Sequence, residues 1–212
     1  MSDSVYLAID IEKLGDYQNA HIIAVGFCLG NAHGDVLETK MWAVSPGERD
    51  HIEPRCKAEF WDRFPQLLAD FIALGRPACV VYSEIAAWLD GLEAKYPNMT
   101  ILSDNPSYDL GGFDNLMYRF TGRLPLRYSR AHVYRCVTDY SEQLWALGPG
   151  VGKRVCELAA QRMNLTEDNK HNPAKDAEFI YHASWLTSKL IDQISTQVAT
   201  MALEAINKTN FG

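Results

Sequence analysis

Val5-Tyr6-Leu7-Ala8-Ile9-Asp10-Ile11-Glu12 is the stretch on which the reading of this chain turns. Apolar, β-branched and aromatic residues fill a short run without glycine or proline, which predicts a strand buried in a sheet. The run then ends on two acids. Side chains alternate along a strand, so Asp10 and Glu12 share one face and Ile11 takes the other. Two carboxylates so close on an apolar strand repel each other and resist desolvation unless a cation lies between them. Oxygen ligands of this kind suit magnesium or manganese. The competing reading is a strand that runs out into water at Asp10.

Working outward, residues 21–29 and 36–44 read as two further strands, with Gly30-Asn31 and His33-Gly34 in the turn between them. Three antiparallel strands in a meander are the economical arrangement. Apolar residues at three- and four-residue spacing predict one helix over 58–74 despite Pro65, and a second over 78–96 closed by Pro97. A short strand at 99–102 precedes a turn-rich segment and a helix over 109–120. Residues 140–147 read as helical up to the stop at Gly148-Pro149-Gly150. Helices are predicted over 152–163 and 174–206, the latter bent or in two pieces. The order describes an α/β fold, a mixed β-sheet flanked by helices. Residues 1–212 are expected to form a single domain, with a core over about 5–190 and a C-terminal helical extension.

The 20 basic and 27 acidic residues give a formal net charge of −7, which argues against coating nucleic acid through bulk charge. No apolar stretch approaches the ~20 residues that span a bilayer. Met1-Ser2-Asp3-Ser4 lacks the basic start of a secretory signal, so a cytoplasmic or otherwise intracellular protein without membrane attachment is expected. The five cysteines are widely spaced, which reads as free thiols and not as a disulfide framework or a zinc site.

Two later segments bear on the acids of the first strand. Asn105-Pro106-Ser107-Tyr108-Asp109 puts an aspartate at the opening of a helix, where it also suits an N-cap. His171-Asn172-Pro173-Ala174-Lys175-Asp176-Ala177 puts a histidine in a loop and an aspartate about one turn into the next helix, a position that also suits the helix dipole. In this order and context the three segments resemble the three motifs of the DnaQ-like, RNase H-like exonucleases of the DEDDh subgroup. Asp10-Ile11-Glu12-Lys13-Leu14-Gly15 resembles the first motif, with Lys13 where threonine is usual. Asn105-x-x-Tyr108-Asp109 resembles the second, and His171 with Asp176 the third. Asp104 and Asp114 are rivals for the third carboxylate; Asp109 is preferred because the asparagine stands four residues before it.

The resemblance implies an RNase H-like sheet and a 3′-5′ exonuclease that hydrolyses phosphodiester bonds at the 3′ end of DNA or RNA, releasing nucleoside 5′-monophosphates. It implies two Mg2+ or Mn2+ ions held by Asp10, Glu12, Asp109 and Asp176, with His171 as general base. Arg119, Arg123, Arg127, Arg130 and Arg135, interleaved with aromatic residues, are then candidates for contacts to the strand, as is Leu14 for the terminal base. Their bland readings are a solvated face and core packing. A single-stranded substrate avoids an unpairing cost, and the long last helix offers a surface for a homodimer. The alternatives are a catalytically silent nucleic-acid-binding module on the same fold and a nucleotide phosphohydrolase.

Overall fold

The computed structural model describes residues 4–127, 137–139, 144 and 146–210, with residues 137–139 and 203–210 described by backbone alone. β1 (Val5–Lys13), β2 (Ile22–Asn31) and β3 (Val36–Ala43) form the antiparallel meander that the turn residues predict. Gly34 turns the β2–β3 hairpin at φ 92°, a backbone conformation open to glycine and rare for other residues. β4 (Thr100–Ser103) pairs in parallel with β1, and β5 (Val137–Asp139) in parallel with β4, giving the order β3-β2-β1-β4-β5. β1 is therefore central, and Leu7, Ala8 and Ile9 are fully buried in it.

Alternation along β1 sorts the two faces of the sheet. Leu7, Ile9 and Ile11 join a core with Phe27, with Val81 and Ile85 of α3 (Ala78–Lys95), and with Leu110 and Phe113 of α4 (Asp109–Thr121). Ala8, on the other face, packs with Cys28, with Val155 and Ala159 of α5 (Pro149–Arg162), and with Ala177, Ile180 and Tyr181 of α6 (Pro173–Asn210). A mixed sheet between helical layers results, as expected. No helix among the described residues is long and apolar enough to cross a membrane.

The single helix expected over 58–74 is two. α1 (Pro54–Cys56) widens into a π-helical turn, Lys57–Trp61, and α2 (Pro65–Leu74) starts afresh on its proline. A proline at the first helical position lacks only an N–H that has no helical acceptor there, so the break costs little. The apolar spacing runs across it because Trp61 and Phe71, one from each piece, pack into the same core with Leu14, Ile23 and Ala24. α6, expected to bend or split, is continuous over 38 residues. Its outer half leaves Ile191, Ile194, Val198 and Met201 exposed. The segment expected to be helical at 140–147 lies mostly outside the described residues.

One glycine fixes where α6 begins. A Cβ on Gly26 would stand 1.9 Å from the Pro173 carbonyl carbon, so no side chain fits between β2 and the start of α6. Gly26 is the register partner of Asp10. The first turn of α6 is thereby set against the sheet beside the acids of β1.

Candidate active site

Three stretches far apart in sequence meet at the end of β1. Asp10, Glu12, Asp109, His171 and Asp176 line one cavity of about 670 Å³, and Asp104 lines it with them. Ligand atoms of Glu12, His171 and Asp176 lie within 4.8 Å of one another, as do those of Asp10, Asp104 and Asp109. The strand does not run out into water at Asp10: the two acids of β1 face four more groups.

Local structure aims each of them. Asp109 opens α4, yet its carboxylate makes no capping bond to that helix. It accepts instead from Ser103 Oγ at 2.8 Å, at the end of β4. The Asn105 carbonyl accepts the Tyr108 and Asp109 amides at 2.9 Å each, which winds the entry into α4. At the other segment, Asn172 caps α6: its Oδ1 accepts the Ala174 amide at 3.1 Å, just after Pro173. His171 sits before that cap at φ 60°, a left-handed conformation that costs a non-glycine residue on the order of 1 kcal/mol or more. Its backbone amide donates to the Asp176 carboxylate, coupling the loop to the helix. Its ring lies edge-on to Phe60, centroids 4.9 Å apart, and tilted against Phe64 at 4.5 Å. Nδ1 is 4.0 Å from Glu12 Oε1.

Crowding sets the electrostatics. Burial first, and then Glu12, Asp109, Asp176 and Asp104, hold the Asp10 carboxyl well above the usual carboxylate range. Glu12 is raised well above its ordinary value by burial and then by Asp176 and Asp109. Asp109 is pushed up to about 8 by burial and Asp104, and Asp176 to about 6 chiefly by burial. His171 moves the other way, lowered by burial and by Lys170 and Arg63. Carboxylates that resist ionisation together are ones a divalent cation would relieve, and an oxygen-rich donor set fits magnesium or manganese. Neutral imidazole is ready to accept a proton.

Lys13, in the place where the resemblance expects threonine, is 2% exposed. It points to the α4 side of the sheet, its Nζ 3.5 Å from the Tyr108 ring centroid and 3.4 Å from the Tyr17 carbonyl to which it donates. Its own carbonyl accepts from Trp61 Nε1 at 3.0 Å, which holds the π-helical turn over the end of β1.

The expected strand-binding residues are placed less simply. Leu14 shares a face with Asp10 and Glu12, but α1 and α2 fold down over it; it is 3% exposed, packs with Cys56, Trp61 and Phe71, and does not line the cavity. Phe60 takes the place at the cavity wall. Arg123 is held in a two-bond pair with Asp90, at 2.8 and 2.5 Å, and Arg127 Nε donates to Asp114. Arg130 and Arg135 lie outside the described residues. Arg127→Glu should therefore act first on folding, because it strips the partner from a carboxylate that is 12% exposed. A loss of about 1–3 kcal/mol is expected, read as a lower urea midpoint, with a smaller loss for Arg123→Glu. Unaltered midpoints in both would make the pairs incidental.

Sequence reasoning underrated Asp104 and missed Phe60 and Phe64. Of the two rivals to Asp109, Asp114 is turned to Arg127 and away from the cavity, while Asp104 joins the cluster. If the cluster hydrolyses a nucleic-acid strand, as the resemblance implies, Asp109→Asn is expected to lose nearly all turnover of a labelled oligonucleotide in magnesium, exposed Asp104→Asn to lose part, and Asp114→Asn to keep it. A folded but inactive Asp114→Asn would shift the second acidic position five residues along α4.

No protein-family model matches the sequence, and no curated protein matches it. Solved structures do match the fold. The zinc-bound Escherichia coli exonuclease I complex with single-stranded DNA superposes with a TM-score of 0.63 at 17% identity, covering 96% of this chain and 45% of that one. The same enzyme with a dA16 oligonucleotide gives 0.63 at 16% identity, covering 90% and 41%. A product-bound structure of exonuclease I gives 0.56 at 17%, covering 91% and 44%. The chain thus has the RNase H-like fold of exonuclease I and spans less than half the length of these neighbours.

Proposed function

We propose that this chain is a metal-dependent 3′-5′ exonuclease of the DEDDh kind, acting on single-stranded nucleic acid and releasing nucleoside 5′-monophosphates. The observation that carries the reading is the convergence of Asp10, Glu12, Asp109, His171 and Asp176, from three separate segments, on one cavity. The neighbours that share the fold include exonuclease I bound to single-stranded DNA, which supports a strand as substrate.

Asp10, Glu12, Asp109 and Asp176 would hold divalent cations, with Asp104 beside them. Cations bound there supply charge for the scissile phosphate and for the attacking and leaving oxygens. Ser103 fixes the Asp109 carboxylate, and the His171 amide fixes that of Asp176. His171 accepts the proton of the attacking water at a ring nitrogen, and Phe60 and Phe64 restrain the ring while it does so.

The test is degradation of matched DNA and RNA oligonucleotides carrying a 3′ or a 5′ label, in magnesium and in chelator. A 3′ label should leave first as a mononucleotide, a 5′ label should report a shortening ladder, and chelator should stop both. Release from the 5′ end, internal cleavage, or hydrolysis of free nucleotides alone would overturn the reading.

A further inference from the structure

A second cavity, of about 590 Å³, opens at the far end of α4. Arg119 and Phe120 line it from that helix, Pro77 and Ala78 from the start of α3, and Arg49 from the loop after β3. α3 begins without a side-chain cap, and the first turn of any helix leaves amide donors without helical acceptors. A helix start alone is not a site, but Tyr82 adds a second observation. It lines the same cavity, is 0% exposed, and its hydroxyl has no hydrogen-bond partner among the described residues. Tyr82 stands about one turn into α3 and lines the cavity together with Pro77 and Ala78. A buried hydroxyl without a partner costs about 1–3 kcal/mol, and a ligand that accepts from it would recover that loss.

The lining also says what kind of ligand fits. Tyr82 and Phe120 are stacked, interplanar angle 2° and centroids 5.3 Å apart, and give an apolar aromatic wall. Asp50 is already held by His21 Nδ1 at 3.1 Å and by the Gly47 amide at 2.7 Å. Among the described lining residues, Glu48 is then the remaining acid against Arg49 and Arg119. An aromatic wall beside two arginines and a helix start suits a planar base joined to a phosphate.

We infer that this second cavity binds a nucleotide unit, its phosphate at Arg119, Arg49 and the start of α3 and its base beside Tyr82 and Phe120. α4 joins the two cavities. Asp109 stands at its beginning and Arg119 ten residues on, about 15 Å along the axis at helical rise. A stacked strand advances roughly 3.4 Å per nucleotide, so a strand with its 3′ end at Asp109 reaches Arg119 within about four nucleotides. The unit is thus an upstream nucleotide of the strand, a source that rests on the proposed function, or a free nucleoside monophosphate, which does not.

The experiment has two arms, each run on the full chain as wild type, Arg119→Glu and Tyr82→Phe. In the first, KM in magnesium is followed from dinucleotide to octanucleotide. Wild type should improve roughly three- to tenfold once the strand exceeds about four nucleotides, the value of one or two hydrogen bonds. Arg119→Glu should lose that step and Tyr82→Phe should reduce it. In the second arm, adenosine 5′-monophosphate is titrated calorimetrically in chelator, and a free-nucleotide source predicts binding that Arg119→Glu weakens. Tyr82→Phe separates a ligand role from mere packing, since removing an orphan hydroxyl should raise Tm while binding weakens. A higher Tm with an unaltered length step and unaltered mononucleotide binding would overturn the inference. So would a wild type showing neither response, in which case persistent dinucleotide hydrolysis keeps the exonuclease reading. Absence of dinucleotide hydrolysis, with mononucleotide binding intact, would instead strike only that reading.

Discussion

Asp10→Ala and Glu12→Ala should each lower turnover by roughly 10³-fold or more, because several kcal/mol of transition-state charge stabilisation is lost with a cation ligand. The metal-free variants should nevertheless be more stable than wild type at pH 8. The sign follows from the raised carboxyls of the cavity. Asp109 at about 8 and Asp176 at about 6 hold protons that the unfolded chain would already have released. Their favourable share of stability is complete below the ordinary carboxyl value of about 4 and is lost as pH rises through 6 and then 8. Burial and acidic neighbours hold Asp10 and Glu12 themselves well above their ordinary values. Removing either one therefore removes a carboxyl whose ionisation the fold opposes, and the gap between variant and wild type should open as pH rises and close toward pH 5. Added magnesium should restore wild-type stability by mass action and restore the variants less. Thermal melts at pH 5 and 8, with and without magnesium, run beside a rate measurement, check all of this. Near-normal activity of either variant, or an equal magnesium response in variant and wild type, would remove Asp10 and Glu12 from the metal-binding role.

The same two acids show why the fold was legible. A strand that alternates Leu7, Ile9 and Ile11 against Ala8, Asp10 and Glu12 carries its two faces in its own spacing, and the β1–β2–β3 meander follows from the turn residues around it. The parallel places of β4 and β5, by contrast, rest on long-range pairing that no turn signals. Asp109 and Asp176 were legible because each opens a helix after a recognisable signal, Asn105 in one case and Asn172-Pro173 in the other. Asp104 sits in a turn, where no periodicity assigns a direction to a side chain, so its approach to Asp10 had no local signature. Phe60 misled for a different reason. Read at helical spacing it belongs to the apolar stripe that includes Trp61 and Phe64, but the π-helical turn adds a residue per repeat and alters the phase. Trp61 goes to the core and Phe60 to His171. The partners of Arg123 and Arg127 were not legible. Asp90 lies 33 residues before Arg123 and Asp114 13 before Arg127, and a one-dimensional charge cluster holds no record of carboxylates brought in by packing.

His171→Ala should lower the chemical step by roughly 10² to 10⁴, the range for losing a positioned general base, while magnesium still stabilises the protein. The ring stands 4.0 Å from Glu12 Oε1, close enough to serve as base and close enough to be a ligand, so activity alone does not assign the role. The pH profile does. Burial, Lys170 and Arg63 lower the pKa of His171, so with magnesium saturating the carboxylates the part of the acid limb that His171 sets should lie below the ordinary histidine value of about 6.5. In His171→Ala that limb should vanish, leaving whatever dependence the carboxylates impose as they take up protons. Phe60→Ala offers a check that a structural role would not mimic. With the clamp opened, the imidazole gains water, its pKa rises toward the ordinary value, and the acid limb should move upward while a smaller rate loss accompanies it. Single-turnover rates from pH 5 to 9, with magnesium titrations followed by Tm, distinguish the outcomes. An active His171→Ala enzyme with an unchanged acid limb means that another group takes the proton. Loss of magnesium response together with activity means that His171 binds the cation, completing with Glu12 and Asp176 the triad whose ligand atoms already lie within 4.8 Å.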